Sequence, residues 1–322
     1  KKRYATAAEL AGRLRLYLAG EPIPDRPPGR LERLWRAVRK RPLRSTAAAL
    51  LGMALAGGLG AGYYFDPERP RREFAAALQS GRPYEFRGDE RLPGPFRQVL
   101  GDAGPPQENR AEGCFSIETA NISFWELMTD PTRERFRVSL EVRHDAAGGA
   151  SLVGIYLGYR DSRTADGGRQ GSFCTFTFAD RGTEATIYED NEGKPVSRAL
   201  VRCCLFEEQA GRQPRISPAP TTRGVDFRPT FVIRGPAPWR KLAAEVTPEG
   251  TKTFWEGPDG VLRLAEGVPA EQLERHFHLM KDQRPRLAGV PTDYRPRAGI
   301  GLYVAQGKAS FRHIVVRPTD GR

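Results

Sequence analysis

The sequence predicts a mainly β protein, a sandwich of short strands preceded by a short helical segment and one apolar membrane helix. Three observations support this fold class. From Cys114 onward, apolar residues alternate over roughly ten to twelve short stretches that are separated by Gly, Pro and Asp. Residues 45–65 carry no charge. Residues 1–44 are strongly basic, with 13 Lys and Arg against 4 Asp and Glu.

The first predicted element is an amphipathic helix within residues 1–24. Apolar residues recur at helical spacing from Tyr4 to Leu18. Thr6 and Glu9 have the spacing of a capping box, which predicts a helix start at about residue 7. Gly20 and Pro22 are typical of a helix end.

Residues 25–44 are predicted to form a basic juxtamembrane helix after a Pro- and Gly-containing linker. Leu31, Leu34, Trp35 and Val38 lie on one face, and arginines occupy the rest. Such a helix places its apolar face in the membrane interface and its arginines against anionic headgroups.

Residues 45–65 predict one transmembrane helix. The 21 residues span about 31 Å as a helix, which matches a hydrocarbon core of about 30 Å. Tyr63, Tyr64 and Phe65 form an aromatic belt at one end, and seven basic residues between 30 and 44 precede the other. The positive-inside rule therefore predicts a single-pass protein of the cell membrane, with a cytosolic N-terminus and an extracytoplasmic C-terminal domain.

Two alternatives accompany the membrane helix. Because the segment is rich in Ala and Gly, a buried helix of a soluble protein is the competing interpretation. The spacing Gly58-x-x-x-Gly62 places small residues on one helix face. This suggests a homodimer formed through the membrane helix, and compositional bias is the other explanation.

The charge distribution argues against nucleic acid as a partner of the larger domain. The chain carries +12 overall and +9 within residues 1–44, which leaves +3 for residues 45–322. A nucleic-acid-binding domain is expected to be basic over its own surface, so the basic block indicates the cytosolic membrane face instead.

Residues 111–318 are predicted to form the β-sandwich, and residues 66–110 a linker with one helical stretch from Glu73 to Gln79. One helix, from Ala270 to Asp282, interrupts the strands. The predicted strands are 115–122, 135–143, 151–159, 171–178, 186–188, 230–234, 239–246, 252–256, 261–264, 300–304 and 309–316.

The segments Lys2–Ala11 and Leu14–Ile23 resemble the last helix of bacterial serine/threonine protein kinases that have one membrane span. Gly29–Trp35 is similar to the segment that follows in those proteins. The resemblance implies a kinase domain upstream, which would bind ATP and Mg²⁺. The chain itself contains no Gly-rich loop with a strand Lys, no His-Arg-Asp loop and no Asp-Phe-Gly, so it cannot phosphorylate a substrate by itself.

Two later segments resemble the concanavalin A-like lectin/glucanase sandwiches. Trp239–Gly257 is similar to a hairpin of that family, and Gly299–Arg317 to its closing pair of strands. The resemblance implies a jelly-roll fold. It does not imply an activity, because one fold supports many functions.

The sequence assigns no catalytic residue. A retaining glycosidase on such a fold needs two carboxylates about 5–5.5 Å apart. The nearest acidic cluster, Glu189, Asp190 and Glu192, lies in a Gly-containing segment that is typical of a solvated turn. Candidate binding residues for a sugar ring are three tryptophans, with core packing as the alternative: Trp125, Trp239 and Trp255.

No metal site is predicted. His276 and His278 are two residues apart on the predicted helix and therefore do not face each other. His144 and His313 are isolated in the sequence, with no apparent partner.

The cysteines do not form a zinc motif, since the sequence has no Cys-x-x-Cys pair. An exported domain would allow one or two long-range disulfides, and buried thiols are the alternative. The four residues are Cys114, Cys174, Cys203 and Cys204.

Three functional hypotheses follow. The first is an extracytoplasmic sensor, or ligand-binding region, of a transmembrane serine/threonine kinase, with a carbohydrate or a protein as its ligand. The second is a membrane-tethered, glycoside hydrolase-like domain that processes glycans. The third is a structural domain without a small ligand.

Overall fold

The computed structural model describes residues 6–19, 21, 53, 68–86, 96–131, 133–182, 197–209, 212–219, 223–227, 232–233, 236–257 and 259–319. The chain divides into two compact units, Lys1–Asp66 and Pro67–Arg322. Apart from Met53, the predicted membrane helix at 45–65 lies outside the described residues. Within those residues, no helix combines the length and the apolar character that crossing a membrane requires.

The described part of the first unit contains helix α1, Ala7–Leu18. The Thr6 hydroxyl accepts a hydrogen bond from the backbone N–H of Glu9 at 3.2 Å, and Arg13 pairs with Glu9 one turn later at 2.9 Å. The cap satisfies one of the free N–H groups at the helix start. The predicted helix and its Thr6 cap are therefore confirmed.

The second unit is mainly β and sandwich-like. Its described helices are α2 (Arg69–Gln79), α3 (Ala270–Asp282) and a 3₁₀ turn at Pro285–Leu287. Its described strands are β1 (Tyr84–Phe86), β2 (Arg97–Gly101), β3 (Gln107–Asn109), β4 (Cys114–Met128), β5 (Phe136–Arg163), β6 (Arg169–Gly182), β7 (Ser197–Glu208), β8 (Arg215–Pro218), β9 (Arg223–Phe227), β10 (Val232–Ile233), β11 (Arg240–Thr247), β12 (Gly250–Glu256), β13 (Leu262–Pro269) and β14 (Gly299–Pro318).

Three long strands, β4, β5 and β14, lie next to one another and organise the sheet. The main path runs β13-β12-β11-β5-β14-β4-β2. The first part of β5, from Phe136 to Val142, pairs with β11, whereas its second part, from Ala150 to Arg163, pairs with β6. β5 therefore belongs to two halves of the sheet: a hairpin half with β11–β13, and a β6–β7 half.

The main hydrophobic core lies between these two halves. Leu140 and Leu242 of the hairpin half belong to the same buried cluster as Ile155, Phe176 and Leu205 of the β6–β7 half. One face of each half therefore packs against the other, as in a sandwich. The apolar face of α3 joins this core through three buried side chains, which are Leu273, Phe277 and Met280.

A second buried cluster covers the opposite face of the β6–β7 half. Its aromatic members alternate with core residues along the strands, because successive side chains of a strand point to opposite faces. The Phe124 ring contacts its neighbours at centroid distances of 4.7 to 6.0 Å. The rings are those of Phe124, Tyr156, Tyr159, Phe173, Phe206 and Tyr303.

The structure differs from the prediction in strand length. Segments 135–143 and 151–159 belong to one strand, β5, and segments 300–304 and 309–316 belong to one strand, β14. The Gly- and Asp-containing residues between them suggested turns. The pairing instead continues through an irregularity. Ala305 pairs with Leu152 and Gly307 with Ala147, so residues 148–151 of β5 lie opposite Gln306 of β14.

The described residues 68–86 and 96–110 contain more secondary structure than the predicted linker. They contain α2 and three strands that pair with β14 or β4. Phe74 and Leu78 of α2 are buried in the main core, which fixes this segment to the sandwich. Strand β7 was not predicted, although its apolar residues on both faces are typical of a buried strand.

Candidate functional site

A polar groove lies at the turn between β11 and β12. Its volume is about 540 Å³, within the usual range for ligand sites of about 300–1,000 Å³. The turn, the end of β13 and the residues that flank β5 and β14 form its walls. The lining residues are Arg135, Glu245, Thr247, Glu249, Gly250, Thr251, Lys252, Gly267, Val268, Pro269 and Thr319.

The shape of the turn depends on Gly250. Its φ is +141°, and a Cβ atom there would lie 2.3 Å from the carbonyl oxygen of Val268. Only glycine allows this approach between the turn and β13. The backbone N–H of Ala270, at the start of α3, donates to the Glu249 carbonyl at 2.9 Å, so the groove wall is joined to the helix.

Two carboxylates and two cationic side chains line the groove. Arg135 pairs with Glu249, and Glu245 lies directly opposite Lys252 in the β11–β12 register. The hydrogen bond with Thr247 and the hydrogen bond from Arg135 lower the pKa of Glu249 below its usual value. Glu249 is therefore ionised at neutral pH and acts as a hydrogen-bond acceptor.

The groove also holds a hydroxyl group whose hydrogen-bonding capacity is unused among the described residues. Thr319 donates its backbone N–H to the Arg135 carbonyl at 3.1 Å, but its buried side-chain oxygen has no hydrogen-bond partner there. A buried hydroxyl normally makes a hydrogen bond. The oxygen has almost no accessible surface, so a ligand in the groove reaches it only if the Thr319 side chain rotates.

This lining favours a neutral polar ligand. The positive charges of Arg135 and Lys252 match the negative charges of Glu245 and Glu249 in number. Anions generally require an excess of positive charge, and cations an excess of negative charge. Donors, acceptors and hydroxyls together suit a ligand that carries many hydroxyl groups of its own.

The three tryptophans predicted as sugar-stacking candidates lie outside the groove lining. Trp125 and Trp255 are only 6% and 4% exposed and belong to the main core. Trp239 has two guanidinium groups over its ring, that of Arg143 at 4.7 Å and that of Arg312 at 4.1 Å from the ring centroid. These cation–π contacts cover ring surface on which a sugar would stack.

His144 has partners, contrary to the expectation that it is isolated. Its Nδ1 lies 2.6 Å from Asp180 and its Nε2 lies 2.7 Å from the Ser151 hydroxyl. Arg240 donates hydrogen bonds to Asp180 from both of its terminal guanidinium nitrogens, Nη1 and Nη2. The arrangement has the residues of a catalytic triad, but all of them are buried, so a substrate does not reach the serine in this structure.

The other histidines also have neighbours that the sequence did not indicate. His313 lies 3.8 Å from Glu85. On α3, His278 contacts the Thr292 hydroxyl at 3.2 Å, and His276 forms a hydrogen bond with Cys203. The predicted acidic cluster, 189–192, lies outside the described residues.

No family model matches the sequence, and no curated protein is similar to it. Solved structures that resemble the chain include the carbohydrate-binding module CBM66 of Bacillus subtilis, with 12% identity, a TM-score of 0.35, and coverage of 69% of this chain and 94% of that one. A legume lectin-like domain of Entamoeba histolytica has 7% identity, a TM-score of 0.35, and coverage of 74% and 97%.

A xylan β-1,4-xylosidase of Bacillus halodurans has 7% identity and a TM-score of 0.30. The match covers 72% of this chain but only 34% of that enzyme. At these TM-scores the fold class rests on the strand pairing described above, which shows a mainly β, sandwich-like protein.

Proposed function

We propose that the second unit is a carbohydrate-binding module, and that the groove at the β11–β12 turn takes a short neutral saccharide. The observation that carries the proposal is the convergence of balanced charges and hydroxyls in one open groove of about 540 Å³. Arg135 and Lys252 donate hydrogen bonds, while Glu245 and Glu249 accept them. Sugar hydroxyls both donate and accept, so each side chain has a partner.

The proposal favours binding over hydrolysis. A glycoside hydrolase needs one carboxylic acid that stays protonated until it donates its proton, so its pKa is raised. The pKa of Glu249 is lowered instead, because Thr247 and Arg135 stabilise its charged form. Glu249 is therefore unsuited to the role of the acid. Glycan processing, the alternative function inferred from the sequence, is our second proposal, and analysis of released sugars tests it.

We also propose the finer fold assignment, a concanavalin A-like jelly roll. The segment Trp239–Gly257, which carries that resemblance, includes the antiparallel β11–β12 hairpin beside the groove. The segment Gly299–Arg317 lies on β14, between β4 and β5. The second motif thus occupies one of the three strands that organise the sheet, and the first pairs with another of them, β5.

Replacing Glu245 and Glu249 together with glutamine is expected to weaken saccharide binding roughly tenfold to a hundredfold, because two charge-assisted acceptors are lost. A glycan array would first identify a saccharide ligand of the full chain. Titration calorimetry would then compare the dissociation constants of the wild type and the variant for that saccharide.

Glu118→Gln provides the matched control, because Glu118 is an exposed strand residue whose ion pair with Lys308 is 3.6 Å long and lies outside the groove. The control should bind as the wild type does. Equal binding by the groove variant would refute the proposed site. Release of sugar products that depends on Glu249 would instead favour the hydrolase.

We further propose that this module is the sensor region of a membrane-anchored serine/threonine kinase. The kinase domain, with its ATP and Mg²⁺, would lie upstream, the N-terminal side would be cytosolic, and residues 45–65 would cross the membrane and dimerise. The support is the resemblance of Lys2–Ile23 to a kinase C-terminal helix, together with the capped helix α1 found there.

The kinase proposal predicts the content of the reading frame upstream of Lys1. It should encode a Gly-rich loop, a strand lysine, a His-Arg-Asp loop and Asp-Phe-Gly. DNA sequencing of the locus checks this directly. An upstream frame without these motifs would refute the kinase proposal and leave the carbohydrate-binding proposal intact.

A further inference from the structure

Two cysteines lie side by side on neighbouring strands of the β6–β7 half. Cys174 of β6 is directly opposite Cys203 of β7, and their sulfur atoms are 3.6 Å apart. Both are free thiols. Residues directly opposite in an antiparallel pair have Cα atoms about 4.5–5.5 Å apart, which lies within the range that a disulfide spans, about 4.4–6.8 Å.

The histidine beside Cys203 favours the thiolate form of that residue. The hydrogen bond with Cys174 lowers the pKa of Cys203, whereas burial raises it. The hydrogen bond and charge of His276 lower it further, to about 6. His276 is half-buried on α3, whose Phe277 packs into the same core. A thiolate held beside a histidine is the nucleophilic form of cysteine.

The remaining cysteines are placed differently. Cys204 belongs to the aromatic cluster on the opposite face of β7, and burial raises its pKa above the usual value. Cys114 is buried on β4, and burial likewise raises its pKa. Cys204 is therefore an internal control for Cys203, because the two neighbours point to opposite faces of one strand.

A small cavity reaches the thiol pair at Cys174. Cys203 does not line it, and its sulfur lies 3.6 Å from that of Cys174. The cavity measures about 20 Å³ and is lined by Cys174, Ser172, Phe277 and Tyr294, among others. The Tyr294 hydroxyl donates to the Thr247 carbonyl at 3.0 Å, which holds the loop that closes the cavity. A space of this size takes about one water-sized molecule, so a small oxidant fits and a peptide or glutathione does not.

We propose that Cys174 and Cys203 are a redox-active dithiol, a modification site that a small peroxide converts into a cross-strand disulfide. Closing the bond brings the sulfur atoms from 3.6 Å to about 2.05 Å. Rotation about the side-chain bonds supplies this movement, since the strands already lie at a suitable distance. The disulfide would join β6 to β7 beside the cavity.

The reaction balances with one peroxide. The Cys203 thiolate attacks one peroxide oxygen, the O–O bond breaks, and the hydroxide that leaves takes up a proton to become water. The thiol of Cys174 then attacks the sulfur of the Cys203 sulfenic acid, and the S–S bond forms. The hydroxyl group leaves as a second water with the Cys174 proton. Two thiols lose two electrons, and hydrogen peroxide gains them.

The test treats the reduced, folded full chain with hydrogen peroxide and then alkylates the remaining thiols after denaturation. We expect two of the four thiols to be lost, a mass decrease of two hydrogens, and one cross-linked peptide pair that joins Cys174 to Cys203. Dithiothreitol should reverse all three changes. Survival of all four thiols would overturn the proposal.

Matched variants assign the roles. Cys204→Ser should keep the cross-link. Cys174→Ser should stop at a sulfenic acid on Cys203, which dimedone traps, and Cys203→Ser should give neither product; Cys203→Ala serves if the serine variant does not fold. Loss of the cross-link in folded Cys204→Ser, or a sulfenic acid trapped on Cys174, would overturn the assignment.

Discussion

Replacing Asp180 with alanine is expected to lower the free energy of unfolding by about 3–5 kcal/mol. Asp180 is fully buried and compensates the charge of Arg240, whose Nη1 lies 2.9 Å from its carboxylate. It also accepts a hydrogen bond from His144 at 2.6 Å. Without the carboxylate, a guanidinium group and an imidazole remain buried without their acceptor.

Urea unfolding followed by circular dichroism measures this loss. Asp130→Ala is the matched control, because Asp130 forms a bidentate ion pair with Arg297 at 2.8 and 2.9 Å, but about half of each side chain is exposed. Exposed pairs contribute about 0–1 kcal/mol. Equal losses in the two variants would contradict the role assigned to the buried network.

The same network predicts a dependence of stability on pH. Burial alone would raise the pKa of Asp180, but the charge of Arg240 and the hydrogen bond from His144 hold it well below its usual range. A depressed folded-state pKa contributes stability that is complete above the unfolded value of about 3.9 and is lost as pH falls below it. Asp180→Ala should lack this part of the acid sensitivity.

Replacing Phe124 with alanine is expected to cost about 3–5 kcal/mol of unfolding free energy. Phe124 is fully buried at the centre of the aromatic cluster. Its ring lies edge-on to Phe173 at 4.7 Å and to Tyr303 at 5.0 Å, and Tyr156 is 5.1 Å away. Removal of the ring leaves a cavity and breaks these contacts together.

Thermal and urea unfolding of three variants test this expectation. Phe124→Leu keeps most of the volume and should cost less than Phe124→Ala. Leu264→Ala, at a strand position that is 56% exposed, should change stability by no more than about 0.5 kcal/mol. If Phe124→Ala were as mild as Leu264→Ala, the aromatic cluster would not be a second core.

Local patterns predicted individual elements well. The 3.6-residue periodicity predicted the helix at Ala270–Asp282, and the structure has the same limits. Period-2 alternation predicted the strand at 135–143 and its buried face, which carries Phe136, Val138, Leu140 and Val142. These patterns succeed because a side chain's direction is set by its own backbone geometry.

Breaks in a pattern were less informative. The residues 144–150, His-Asp-Ala-Ala-Gly-Gly-Ala, suggested a turn between two strands. The neighbouring strand β14 pairs with β5 on both sides of this segment, with a register shift between Ala305 and Gly307, so β5 continues. Whether a glycine ends a strand or only shifts its register depends on the partner strand. That partner is about 160 residues away in sequence, as the pairing of Ala147 with Gly307 shows.

The candidate sites also combine residues that are far apart in sequence. The groove unites Arg135 with Glu249, and the thiol site unites Cys174, Cys203 and His276. Each residue belongs to a different strand, turn or helix, and no short motif connects them. Only the thiol site had a sequence signal, because Cys174 and Cys203 each lie in an apolar stretch that is typical of a buried strand.

The sequence by itself determined that the larger domain is built of alternating strands with one late helix, and that helix α1 starts after Thr6. These properties are local, because they depend on residues within one or two turns or strand repeats. Only the tertiary structure decided which strands pair, where tryptophans lie, and which titratable groups meet. Those outcomes depend on strand register and packing between residues far apart in sequence, so hydrophobic periodicity along the chain does not contain them.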